Sequence, residues 1–222
     1  MPRIYISPST QSGNIGVSPF TNEEAEMNKI ADALMPLLAS DGRFETKRNT
    51  PDMDVYQMAE DSNNFKADIH ISIHSNAGGG SGTEVYAYAP KTSSERLAQA
   101  LYNQIAPLSP GPDRGIKYDP KLVEVGDSVN ATAALIELAF HDNAKDAGWI
   151  VLSTSHIAEA LYRGICTFYG YEYLALAVDI PAVLSTIDKD IYLTVRVLQS
   201  KSDTVIKQIQ TMGYACRVLP LA

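Results

Sequence analysis

Two short apolar runs constrain this chain more than anything else in its sequence. The first is Ile71-Ser72-Ile73-His74-Ser75-Asn76-Ala77 and the second, much later, is Ala134-Leu135-Ile136-Glu137-Leu138-Ala139-Phe140. Each has the length and composition of a buried strand. Each also carries a polar group of the kind that does chemistry. His74 ends its run just before a glycine-rich turn, and Glu137 lies inside its run, where a carboxylate rarely sits without a partner or a task. A histidine and a glutamate on strands of one sheet read as a metal ligand and a general base. These two residues alone favour the plainer reading, a hydrogen-bonded histidine and a buried, paired glutamate.

Around these runs, strands alternate with helices. Residues 4–7 read as a strand and 8–20 as a loop rich in Ser, Gly and Pro. A helix is predicted from Glu23 to Ala39, with Met27, Ile30, Ala31, Leu34 and Leu38 on one face and Pro36 bending its last turn. Phe44–Lys47 reads as a strand and Val55–Phe65 as a helix. Asp68–His74 and Thr83–Tyr88 read as strands joined by Ala77–Gly82, a loop that glycine frees to move. Leu97, Leu101 and Ile105 mark a helix, Leu122–Val125 and Ala133–Ala139 strands, Asn143 the start of a helical turn, and Ile157, Leu161 and Ile165 a last helix. The pattern predicts an α/β domain over 1–171, with a mostly parallel twisted sheet and helices on both faces. A linker over 172–190 then leads to a small β-α-β unit at 191–222, too short to bury much surface alone. That unit is expected to dock on the main domain, bind the main domain's target or form a homodimer.

Composition removes several classes of function. The net charge is −8 with no basic cluster, so no nucleic-acid partner is expected. No apolar run is long enough to span a membrane. Cys166 and Cys216 form neither a metal-type pair nor a disulfide framework. There is no G-x-S-x-G element for covalent hydrolysis, and the glycines of 78–80 lack the Lys-Ser/Thr of a phosphate cradle. The N-terminus enters a strand at once without a signal-peptide pattern, so synthesis in the cytoplasm is expected.

The order of parts over residues 3–170 resembles the zinc-dependent N-acetylmuramoyl-L-alanine amidases that cleave bacterial peptidoglycan. Residues 71–77 are similar to the family's second-histidine segment, and Gly82-Thr83-Glu84-Val85-Tyr86 to the strand after it. Arg114-Gly115-Ile116-Lys117 looks like the family's R-G-V-K. Ile136–Phe140 with Asn143-Ala144-Lys145-Asp146-Ala147 resembles its catalytic end. The resemblance implies Zn²⁺ held by His74 and by Glu24, which stands four residues before Asn28 as in the family's E-x-x-x-N. It implies Glu137 as catalytic base, and Asn76 and Arg114 in the substrate groove. Thr21-Asn22-Glu23-Glu24 is also a capping box, in which Glu24 would bond back to the Thr21 amide.

The chain departs from the family at its first histidine, where D-P-G-H becomes Ser7-Pro8-Ser9-Thr10-Gln11. His70 is no substitute, because four strand residues separate it from His74 by about 13 Å. Gln11 offers an amide oxygen within one residue of the missing ligand, and His141 either swings toward the site or caps the following turn. The expected activity is cleavage of the bond between N-acetylmuramic acid and L-alanine by an enzyme released on lysis, as endolysins are, or acting in sporulating cells. The alternative is a non-catalytic peptidoglycan-binding module with a degenerate metal site; a structural α/β protein would bind neither metal nor wall.

Overall fold

The computed structural model describes residues 1–174. Six strands, β1 (Arg3–Pro8), β2 (Glu45–Arg48), β3 (Ile69–Asn76), β4 (Glu84–Ala87), β5 (Gly115–Tyr118) and β6 (Thr132–Phe140), form one sheet in the order β2-β1-β3-β6-β4-β5. β2, β1, β3 and β6 run parallel, β4 is antiparallel to β6, and β5 is parallel to β4. Helices α1 (Glu23–Asp41), α2 (Val55–Phe65), α3 (Ser93–Ile105), α4 (Ala144–Leu152) and α5 (Thr154–Tyr169) complete the domain. The α/β reading with a mostly parallel sheet therefore holds. α1 continues through Pro36 to a left-handed cap at Gly42.

Strand alternation sorts the side chains onto two faces of different chemistry. Ile4 and Ile6 of β1, Ile69, Ile71 and Ile73 of β3, and Ala134, Ile136 and Leu138 of β6 enter the main apolar core. Met27, Ile30 and Leu34 of α1, Leu97 and Leu101 of α3, and Ile157, Leu161 and Ile165 of α5 fill it from the other side. α5 packs against both α1 and α3. The alternate residues, Tyr5 and Ser7, His70, Ser72 and His74, and Glu137, lie on the opposite face. There α2 covers part of the sheet: the Tyr5 hydroxyl donates to Asp61 at 2.8 Å and the Ser7 hydroxyl approaches Met58 Sδ at 3.0 Å. Ala59, Val129 and Ala133 form a small apolar cluster on that side.

Two local expectations are corrected. Leu122–Val125 is a series of tight turns, with the Val125 and Gly126 amides donating to the Leu122 carbonyl at 3.1 and 2.7 Å. A Cβ on Gly126 would stand 2.2 Å from the Pro120 carbonyl oxygen, so the turn closes only around glycine. The strand missing from that stretch is β5, formed earlier by the Gly115–Tyr118 segment. The second correction concerns the 77–82 loop, which is tethered and not loose. Gly78 and Gly79 amides both donate to Asp142 at 2.8 Å. Asp146, fully buried, accepts from the Ser81 hydroxyl and Gly82 amide at 2.8 Å and from the Phe140 amide at 3.0 Å. Beyond residue 174, the remainder of the expected linker and the 191–222 unit lie outside the described residues.

Asp146 thus joins the glycine loop, the end of β6 and the start of α4. Asp146→Ala strands two backbone donors, and each buried orphan costs about 1–3 kcal/mol. Urea denaturation is expected to show a loss of at least that size. An unchanged midpoint would mean that neither amide depends on the carboxylate.

Candidate active site

His74 is the centre of the site because three strands place it there. Register pairs His74 with Glu137 on β6, and Glu137 with Glu84 on β4. Directly paired residues project to the same face, so the three side chains form a row across the polar side of the sheet. Just beyond it the register slips: β3 moves from His74 to Asn76 while β6 moves from Glu137 to Phe140. The extra β6 residue bends the strand end at the rim of the site.

Two carboxylates from distant segments hold the imidazole. Glu23 Oε1 lies 2.8 Å from Nδ1 and Glu124 Oε2 lies 3.1 Å from Nε2. All three residues are at most 6% exposed. Burial alone would favour a neutral ring, but the flanking carboxylates outweigh it and raise the His74 pKa well above the usual histidine value. Burial opposes ionisation of Glu124 too, yet the neighbouring imidazolium pulls its carboxyl down to about 2. For Glu137 burial prevails. Desolvation, reinforced by the charges of Glu23, Glu84 and Glu124 against the pull of His74, raises it to about 7. Its Oε2 is buried and has no hydrogen-bond partner.

Glu23 stands where Glu24 was expected. Successive helical residues project about 100° apart, so only one of the two can face His74. Glu23 takes that direction, accepting also from Asn14 Nδ2 at 2.6 Å and the Ser75 amide at 3.3 Å. Glu24 instead lines an open groove with Asn28, Asp32 and Arg48. The capping box also shifts: Asn22 is the cap, its side chain accepting from the Ala25 amide, and the carboxylate reaching Thr21 belongs to Glu26.

The other expected residues divide in two. Gln11 does reach the site, its Nε2 lying 3.4 Å from His74 Nδ1 and its Oε1 accepting from Asn14 at 2.9 Å. Thr10 turns away to the Met53 carbonyl. Asn76 and Arg114 both bind Glu84, at 2.7 and 2.9 Å, and the Arg114 guanidinium lies 4.8 Å above the Phe140 ring. His70 stacks on Tyr5 at 5.2 Å and meets Ser72 Oγ at 3.1 Å. His141 stacks on Phe20 and bonds Ser75 Oγ at 3.0 Å. Sequence reasoning missed Glu124 and Glu84. Glu124 carried the same signal as Glu137, an acid in an apolar run, within the segment read as a strand.

Among the described residues, no three His, Cys, Asp or Glu side chains gather in metal-ligand geometry. The reason is visible at His74: Glu23 and Glu124 approach opposite nitrogens, so one ion cannot meet both and the ring. On one side of the ring stand Gln11 Nε2, an amide nitrogen that cannot ligate, and two donors, His74 Nδ1 and Glu23 Oε1. They fit a small divalent cation in kind, since Nδ1 and Glu23 already share one proton where a cation would be held.

The chain is similar to known proteins in sequence and in fold. A sporulation-specific N-acetylmuramoyl-L-alanine amidase of Bacillus subtilis (strain 168) is 29% identical over 173 residues, covering 74% of this chain. The chain spans only 65% of that relative's length. The fold is similar to that of the catalytic domain of CwlV, an N-acetylmuramoyl-L-alanine amidase from Bacillus (Paenibacillus) polymyxa var. colistinus. There the TM-score is 0.70 at 23% identity, over 78% of this chain and 100% of that one. An N-acetylmuramoyl-L-alanine amidase from Clostridium difficile 630 gives a TM-score of 0.69 at 24% identity, over 76% and 97%. These likenesses speak to fold. The family model for N-acetylmuramoyl-L-alanine amidases matches residues 8–167, most of the chain, and the chain belongs to that family.

Proposed function

We propose that this chain hydrolyses the amide bond between N-acetylmuramic acid and L-alanine in bacterial peptidoglycan, with a zinc ion as cofactor. The observation that carries the reading is Glu137, whose buried Oε2 has no partner and stands in register beside the His74–Glu23 pair. A stabilised fold would rarely leave such an oxygen unused. His74 Nδ1 and Glu23 are the residues that would hold zinc, and a half-turn of the Gln11 amide, whose Nε2 faces Nδ1, would present its oxygen as a weaker third donor. When bound, zinc supplies a Lewis acid that polarises the scissile carbonyl and acidifies water. Glu137 takes a proton from the attacking water as its oxygen bonds to the carbonyl carbon. It returns that proton to the alanine nitrogen as the carbon–nitrogen bond breaks. Arg114, held by Glu84 and Phe140, and Asn76 border the groove in which the substrate lies.

The wall-binding module without catalysis differs in outcome, since it binds peptidoglycan and releases nothing. Among the described residues no helix is long and apolar enough to cross a membrane. Access to the wall after release or lysis is the route we propose.

Glu137→Gln keeps the shape and removes the base, so lysis of a wall suspension is expected to fall about 10²–10⁴-fold. Lysis at the wild-type rate would exclude Glu137 as base. The same substitution has a second readout in metal-free protein. A carboxyl whose folded pKa is raised contributes stability below its unfolded pKa and loses it as pH rises toward the folded value. With ordinary and folded values of 4.5 and about 7, Glu137→Gln is expected to gain thermal stability over wild type across that interval. The gain is complete above it. An equal Tm difference at pH 4 and pH 8 would contradict the burial argument.

The ligand assignment has its own check. Glu23→Ala is expected to strip zinc from the purified protein, while Glu24→Ala leaves it bound, both read by metal analysis after dialysis. The reverse pattern would restore Glu24 to the site.

A further inference from the structure

Glu124 is more deeply buried than an acid in a surface turn has reason to be. It lies at 4% exposure, in the connection between β5 and β6, and drops onto the polar face of the sheet. The connection is firmly built. Asn63 of α2 donates to the Ser128 carbonyl and accepts from the Asn130 amide, both at 2.8 Å. The Tyr88 hydroxyl donates to Asp127 at 2.9 Å, and Gly126 closes the turn where no Cβ fits. Val125 and Val129 already give the loop its apolar anchors. A buried charge adds little to such packing, and an apolar side chain of similar volume would commonly serve stability as well or better.

The contacts of the carboxylate show what it does instead. Oε1 accepts from the Ser7 hydroxyl at 3.1 Å, which fixes the group, and Oε2 faces His74 Nε2 at 3.1 Å. An imidazole bound to a carboxylate through one nitrogen has its tautomer and ring orientation set, and its other nitrogen becomes a better donor to a cation. Here the other nitrogen is Nδ1, facing Glu23 and Gln11. No second histidine can take over, because His70 is engaged by Tyr5 and Ser72.

We propose that Glu124 is a positioning residue of the metal site: anchored by Ser7, it accepts the Nε2 proton of His74 and so presents Nδ1 to zinc. This rests on the zinc-dependent reading above. It gives a chain whose first-histidine position has become Thr10–Gln11 a device for strengthening the single imidazole that remains.

The test measures zinc affinity of the full chain by competition with a chelator, for wild type, Glu124→Ala, Glu124→Gln and Ser7→Ala. Loss of a carboxylate behind a ligating histidine typically weakens metal binding about 10–100-fold. That range is expected for Glu124→Ala. Glu124→Gln keeps an acceptor oxygen and the shape, so it folds and recovers part of the loss, and Ser7→Ala falls between it and wild type. Asp127→Asn loosens the same loop without touching His74 and is expected to bind zinc as wild type does. Nitrogen-15 spectra of the imidazole in zinc-loaded protein supply a readout that loop packing alone would not move: an Nε2 proton held in a hydrogen bond and slow to exchange with solvent in wild type, and fast exchange in Glu124→Ala. Wild-type affinity in both Glu124 variants, with zinc still lost in His74→Ala, would overturn this proposal and leave the zinc reading standing. Complete loss of zinc in Glu124→Gln, as in His74→Ala, would make Glu124 a ligand and overturn it differently. A wild-type chain that binds no zinc would overturn both.

Discussion

The two-residue period of β3 is the constraint from which the rest of the molecule follows. Ile69, Ile71 and Ile73 point to the helices α1, α3 and α5, while His70, Ser72 and His74 point the other way. A one-residue slip would exchange the two sets and bury imidazole and hydroxyl groups among isoleucines. Burial on the apolar face therefore locks the register that brings His74 beside Glu137. The chemistry on one side of the sheet is held in place by the hydrophobic packing on the other.

On the polar side the dominant force is electrostatic, in a region water barely enters. One imidazolium stands among four acidic side chains, Glu23, Glu84, Glu124 and Glu137. They are not equivalent. Glu23 and Glu124 contact the ring, and Glu84 is compensated by Arg114. Glu137 alone has no partner for its buried oxygen, so the local field falls on it and lifts its pKa toward neutrality. Environment, not residue type, makes that shift.

Loop chemistry carries as much of the site as the strands do. Asp142 and Asp146 use three backbone amides of the glycine-rich loop, which turns a flexible sequence into a fixed rim next to Asn76. Asn63 does the same for the turn that delivers Glu124. In both places a short polar side chain on a helix, or just before one, satisfies the amides that a loop cannot satisfy for itself. The glycines supply close approach, and the acids and amides supply order.

Local pattern determined the elements: the apolar runs specify β3 and β6, the 3.6-residue spacing specifies α1, α3 and α5, and Val55–Phe65 forms α2 with the boundaries its sequence implied. It also marked His74 and Glu137, because a polar group in a buried run is conspicuous without coordinates. Tertiary structure alone decided what meets His74. Glu23 and Glu124 lie 51 and 50 residues away along the chain, in opposite directions. Adjacent glutamates at a helix start are indistinguishable until the helix is docked and its rotation chosen. Glu124 sat in a run whose composition matched a strand, but Gly126 and the closeness of Pro120 fold it into a turn. Strand and helix are set by contacts within a few residues. A site is set by which ends of those elements the closed sheet brings together, and no local period encodes that.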